Sequence, residues 1–187
     1  DMEGNGNRAW IVVTALVAVA VFGFAAYLVV NQEDRLPTAQ PPVRAADAAV
    51  GAPPDEADVI VLGDSVTYQS TGPITTALEA RGAVSVIGLP GYRTDELLPT
   101  VQDALGGEPP PVAVMLSGYN ELWQKVVDHS EVVAAQEEAI DLLSRAGCAV
   151  WIQVPTRGPW DPERAEAFDD RMADLASDAG VHVESAW

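Results

Sequence analysis

A chain of 187 residues with a formal net charge of −18 repels polyanions, which sets nucleic acid aside as a partner. Its length suffices for one domain with a substantial core, and its 48% hydrophobic content is swollen by one apolar segment near the amino terminus. The single cysteine, Cys148, excludes an internal disulfide; it opens an apolar run and reads as a buried, inert thiol.

Residues 1–9 form a short polar tail. Residues 10–30 carry no charge and are almost wholly apolar, about the length that spans a bilayer as a helix. Trp10 and Tyr27 near its ends suit the interface, and no small-x-small cleavage site follows. An uncleaved, single-pass anchor is expected, with the membrane as a partner and the main domain outside the cytoplasm. Residues 31–56, rich in Pro and Ala and without apolar periodicity, read as an extended tether.

From residue 57 to 187 strands and helices alternate. Val59–Leu62 is apolar and mostly β-branched, the pattern of a buried parallel strand, and it runs into Gly63-Asp64-Ser65. A helix is expected over Ile74–Arg81, stopped by Gly82, then a strand over Val84–Ile87. Thr94 is the expected N-cap of a helix to about Leu105, with Asp95 and Glu96 in its first turn. Val112–Leu116 is the third strand. Glu131–Ala146 places Val132, Ala135, Ala139 and Leu142 on one helical face. Ala149–Val154 is the fourth strand. Asp161-Pro162-Glu163 is a helix start, and Ala165, Phe168, Met172, Leu175 and Ala179 form its apolar face. Val181 to about Ser185 is the fifth strand. Alternation of this kind implies an α/β fold: a three-layer α/β/α sandwich on a five-stranded parallel sheet.

Three loops after strands carry chemistry. The first presents Ser65, the second reads Gly88-Leu89-Pro90-Gly91-Tyr92-Arg93, and the third reads Ser117-Gly118-Tyr119-Asn120-Glu121. In a flavodoxin-like order, 2-1-3-4-5, the first strand lies between the second and third, so all three loops share the carboxyl rim at the switch point. A serine hydroxyl there suits nucleophilic attack on an acyl carbon. The Ser65 N–H, the Gly91 N–H and the Asn120 amide are candidate donors to the oxyanion. Asp64 reads as a carboxylate that organises its loop. Arg157, Trp160 and Trp123 lie on the same rim as cleft or surface residues. A flavin or nucleotide binder would carry more Gly, Ser or Thr in its first loop.

Gly-Asp-Ser after the first strand, Gly91 after the second and Gly118-x-Asn120 after the third resemble the first three blocks of the SGNH (GDSL-type) hydrolases, over about residues 58–187. The resemblance implies a serine esterase with Ser65 as nucleophile, Gly91 and Asn120 as oxyanion donors, no cofactor, no metal, and a small-molecule ester or acylated glycan as substrate. Glu121 stands where the family usually has Asp. The larger departure is the family's Asp-x-x-His block after the fifth strand, because the chain ends at Trp187. His182 follows Asp178 by one residue too many and opens the fifth strand; His129 lies nine residues beyond Asn120. The expectation is a domain incomplete at its carboxyl end, with the catalytic His outside this chain. A non-catalytic binding module of the same fold is the other reading that this departure allows.

Overall fold

The computed structural model describes residues 41–155 and 157–184. The apolar segment 10–30, the tether to residue 40 and the last three residues lie outside them. No helix among the described residues is long and apolar enough to cross a membrane.

Six strands form one sheet: β1 (Ala49–Gly51), β2 (Val59–Gly63), β3 (Val84–Gly88), β4 (Val112–Leu116), β5 (Cys148–Ile152) and β6 (His182–Glu184). Their order is β1-β3-β2-β4-β5-β6. The five strands β2 to β6 are parallel in the 2-1-3-4-5 arrangement expected from the alternating pattern. Among the described residues seven helices accompany them: α1 (Ala45–Ala48), α2 (Ser65–Gln69), α3 (Thr71–Leu78), α4 (Thr94–Leu105), α5 (Tyr119–Gln124), α6 (Ser130–Ser144) and α7 (Pro162–Asp178).

Alternation along the strands sorts the core into two layers. Ile60, Leu62, Ile87, Ala113, Met115, Ala149 and Trp151 face one way, against Leu97, Val101 and Leu105 of α4, Ile140 and Leu143 of α6, and Phe168 and Met172 of α7. Val59, Val61, Val84, Val86, Val114 and Leu116 face the other, with Val66 of α2 and Ile74 and Leu78 of α3. β2 is buried at every residue because it is central and covered on both faces, which is why it reads as an unbroken apolar run.

Four expectations shift. Residues 41–56, read as tether, instead carry α1, the edge strand β1 and a 3-10 turn at Pro54–Glu56. β1 runs antiparallel to β3, with Val50 opposite Val86. Four Pro and a run of Ala hide this from periodicity: three residues are too few to show a period, and the pairing partner lies over thirty residues away. The helix expected from Ile74 begins at Thr71 and tightens into a 3-10 turn at Glu79–Arg81. The N-cap of α4 is Arg93, not Thr94; Glu96 accepts the Arg93 N–H (2.9 Å) while the Thr94 side chain is drawn to Glu121. Cys148, finally, is half-buried rather than fully enclosed, since it opens β5 at the sheet's amino rim.

Candidate active site

Parallel register sets the rim. Gly63 at the end of β2 lies opposite Gly88 of β3 and Leu116 of β4. The three loops therefore leave the sheet at one level, one strand spacing apart, and Leu89 N donates back to Gly63 O at 2.9 Å. Ser65 is the first residue of α2. Asp64 caps that helix, its Oδ1 accepting from Val66 N at 2.9 Å. The loop-organising role read for Asp64 in the sequence is the one it has. Val66, Thr67 and Ser70 are buried, whereas Ser65, Tyr68 and Gln69 are not, so the nucleophile candidate lies on the open face of its helix.

The third loop is a helix. Gly118 N-caps α5, and Asn120 lies in its first turn. Gly118 has φ +127°, and a Cβ there would lie 2.6 Å from the Phe168 ring. Both the backbone conformation and the close approach of α7 require glycine. Lys125 closes α5 in the left-handed conformation, φ +61°.

Side chains stitch the second and third loops together. Asn120 Nδ2 donates to the carbonyl of Tyr92 at 2.7 Å. Arg93 reaches Gln124 Oε1 at 2.9 Å while pairing with Asp95 at 2.7 Å. Glu121 is fully buried and accepts the Thr94 N–H at 2.6 Å and the Thr94 hydroxyl. Ser117 Oγ lies 2.8 Å from Thr94 Oγ1. Gly91, at φ +84°, turns the chain between Leu89 and Tyr92. Sequence reasoning missed Tyr92 and Glu121. Tyr92 was legible only as the residue after the loop glycine, and Glu121 as a lengthened aspartate.

Buried acids underlie this rim. Asp64 is fully buried with one oxygen, Oδ2, unpartnered; burial pushes its carboxyl up to about 8, with Glu121 adding to the shift against the Val66 N–H. Glu121 is raised chiefly by burial, against the two bonds from Thr94. Asp169 of α7 accepts from Val154 N at 3.3 Å, and burial lifts it to about 7. Tyr119, its hydroxyl buried and unpartnered, is raised by burial and then by the charges of Asp64 and Asp169.

Neither histidine joins the site. His182 opens β6 and pairs with Glu184 at 2.8 Å; β6 lies three strands from β2, roughly 14 Å by strand spacing. His129 is exposed at the N-cap of α6 and faces Glu131 at 3.7 Å. Ser65 Oγ has no hydrogen-bond partner among the described residues. Of the other rim residues, Arg157 is exposed, Trp160 stands edge-on to Tyr119 at 5.2 Å between ring centres, and Trp123 is 41% exposed.

The architecture so built is an α/β fold on a mostly parallel sheet, the class to which several solved esterase structures belong. A serine-to-alanine mutant of the esterase AlinE4 matches with a TM-score of 0.53 and 18% identity, over 67% of this chain and 73% of that one. A catalytic mutant of an acetylxylan esterase from Geobacillus stearothermophilus matches at 0.52 and 13%, over 67% and 74%. LAE5, an α/β hydrolase from the metagenome of Lake Arreo, Spain, matches at 0.51 and 17%, over 67% and 74%. At these identities the likeness is one of fold. No protein-family model matches the chain, and no curated protein sequence matches it.

Proposed function

We propose that this chain is a serine ester hydrolase of the SGNH type. The observation that carries the reading is the convergence on one rim of Ser65, on the open face of α2, with Gly91 and Asn120, whose loops are tied together through the Tyr92 carbonyl. In the reaction, Ser65 Oγ attacks the ester carbon and its proton passes to a base. The carbonyl oxygen takes the electron pair and is held by the N–H groups of Ser65 and Gly91 and the second N–H of the Asn120 amide. The carbonyl re-forms as the alcohol leaves with the proton. Water then attacks the acyl-enzyme by the same steps in reverse and releases the acid. The base in this reading is a group other than His129 and His182. The substrate is a small-molecule ester or an acylated glycan, a choice favoured by the acetylxylan esterase among the fold neighbours.

A second reading, a non-catalytic binding module, is favoured by the lack of a hydrogen-bond partner on Ser65 Oγ among the described residues. Hydrolysis of p-nitrophenyl acetate by the full chain separates the two. The esterase reading expects turnover that Ser65→Ala reduces to the uncatalysed background. Turnover that survives this substitution, or no turnover in the parent chain, overturns it.

A further inference from the structure

Residues 41–51 are bound to the loop that carries Gly91 and to the helix that follows it. Pro41-Pro42 lacks one internal amide donor, and a Pro-Pro step favours extended backbone whose carbonyls have no local partners. Tyr92 and Thr100 take two of the carbonyls in this stretch: Tyr92 Oη donates to Pro41 O at 2.8 Å and Thr100 Oγ1 to Val43 O at 2.6 Å. Ala45 is buried, and its N–H donates to Asp103 Oδ2 at 2.8 Å. β1 then fixes the stretch to β3, whose end leads directly into Gly91. The segment is thus a strap laid over α4 and along the sheet edge.

Tyr92 is where the strap meets the site. The residue is 2% exposed, its hydroxyl holds Pro41, its carbonyl holds the Asn120 amide, and its amide follows Gly91. We infer that Tyr92 is a positioning residue that couples the strap at residues 41–45 to the two oxyanion donors, Gly91 and Asn120. When the hydroxyl loses Pro41, the ring keeps its apolar seat but loses the bond that fixes its rotation and depth. The Tyr92 carbonyl is then free to drift, and the Asn120 amide and the Gly91 N–H drift with it. Donors displaced by a fraction of an ångström from the developing charge lose much of their effect on the rate while binding of the ester is little changed.

The catalytic consequence rests on the esterase reading; the mechanical coupling does not, so the experiment has two arms. Tyr92→Phe in the full chain removes the hydroxyl and keeps the buried ring. In the first arm, amide hydrogen exchange at residues 89–93 and 119–121 speeds up about tenfold, as expected for loss of one hydrogen bond, while β2 and β4 keep their protection. In the second arm, kcat for p-nitrophenyl acetate falls about tenfold and KM stays within about twofold, at a temperature where both proteins are fully folded. Unchanged exchange in both loops overturns the coupling, whatever the activity. Faster exchange with an unchanged kcat overturns the positioning role. A parent chain with no esterase activity removes the second arm through the esterase reading itself and leaves the exchange result to decide the coupling. Exchange that rises equally in β2 and β4 shows general destabilisation and overturns the inference as well.

Discussion

Gly118 joins two requirements at one atom. Its φ of +127° is one that side chains rarely adopt, and the Phe168 ring fills the space a Cβ would need. Gly118→Ala should therefore destabilise the chain by about 3 kcal/mol, the sum of backbone strain and forced movement of α7. Urea unfolding measures this; a loss under half that would show that α7 yields easily. Asn120 is tied down differently. One of its amide hydrogens is already spent on Tyr92 O, which orients the group and leaves the other outside that bond. The Gly-x-Asn spelling marked Asn120 in the sequence as a candidate oxyanion donor. What held the donor in place was not, because its acceptor is a backbone carbonyl 28 residues away in sequence, and carbonyls carry no signature.

Elements show the same division. α7 was legible from Asp161-Pro162-Glu163, and the structure shows why: the Asp161 carboxylate accepts from Glu163 N at 2.9 Å and Arg164 N at 3.3 Å. Asp161→Ala should cost about 1 kcal/mol, the usual worth of an N-cap. Thermal unfolding should show Tm lower by about 3 °C, and Asp161→Asn should restore most of it. A drop shared by the Asn variant would assign the effect to charge instead of capping. α4 was read with the wrong cap because of a partner distant in sequence. Thr94 looks like a cap residue, but its hydroxyl and N–H both go to Glu121, so the turn is closed by Glu96 reaching back to Arg93. α2 and α5, of five and six residues, are too short to show a period. Their existence matters, since they turn Ser65 and Asn120 from loop residues into residues on the open faces of capped helices.

At the scale of the whole molecule, the buried acids make stability depend on pH. Asp64 titrates near 8 when folded against an ordinary value of 3.8, and Asp169 near 7. Between about pH 4 and 8 the native chain holds protons that the unfolded chain releases, so stability falls as pH rises through that window. The native advantage is greatest at its acid end and is lost above the folded values. Asp64→Asn keeps an acceptor for Val66 N and removes the ionisation. Tm measured at pH 5 and pH 8 should differ in the parent chain, lower at pH 8, and the gap should shrink in Asp64→Asn. An unchanged gap would assign the dependence to Asp169 and Glu121 instead.

The sequence by itself determined the parallel sheet and its order, because central strands and amphipathic helices write their burial directly into apolar runs and periods. It also determined which residues meet at the carboxyl rim, since strand order follows from alternation and each loop leaves at a strand's end. Only the tertiary structure decided that residues 41–51 belong to the fold, that Tyr92 ties them to the rim, and that Glu121 anchors Thr94. Those decisions rest on a few hydrogen bonds between groups 27 to 58 residues apart and on one three-residue strand. Such contacts depend on where the folded chain brings two atoms together, and no local pattern of residues encodes that.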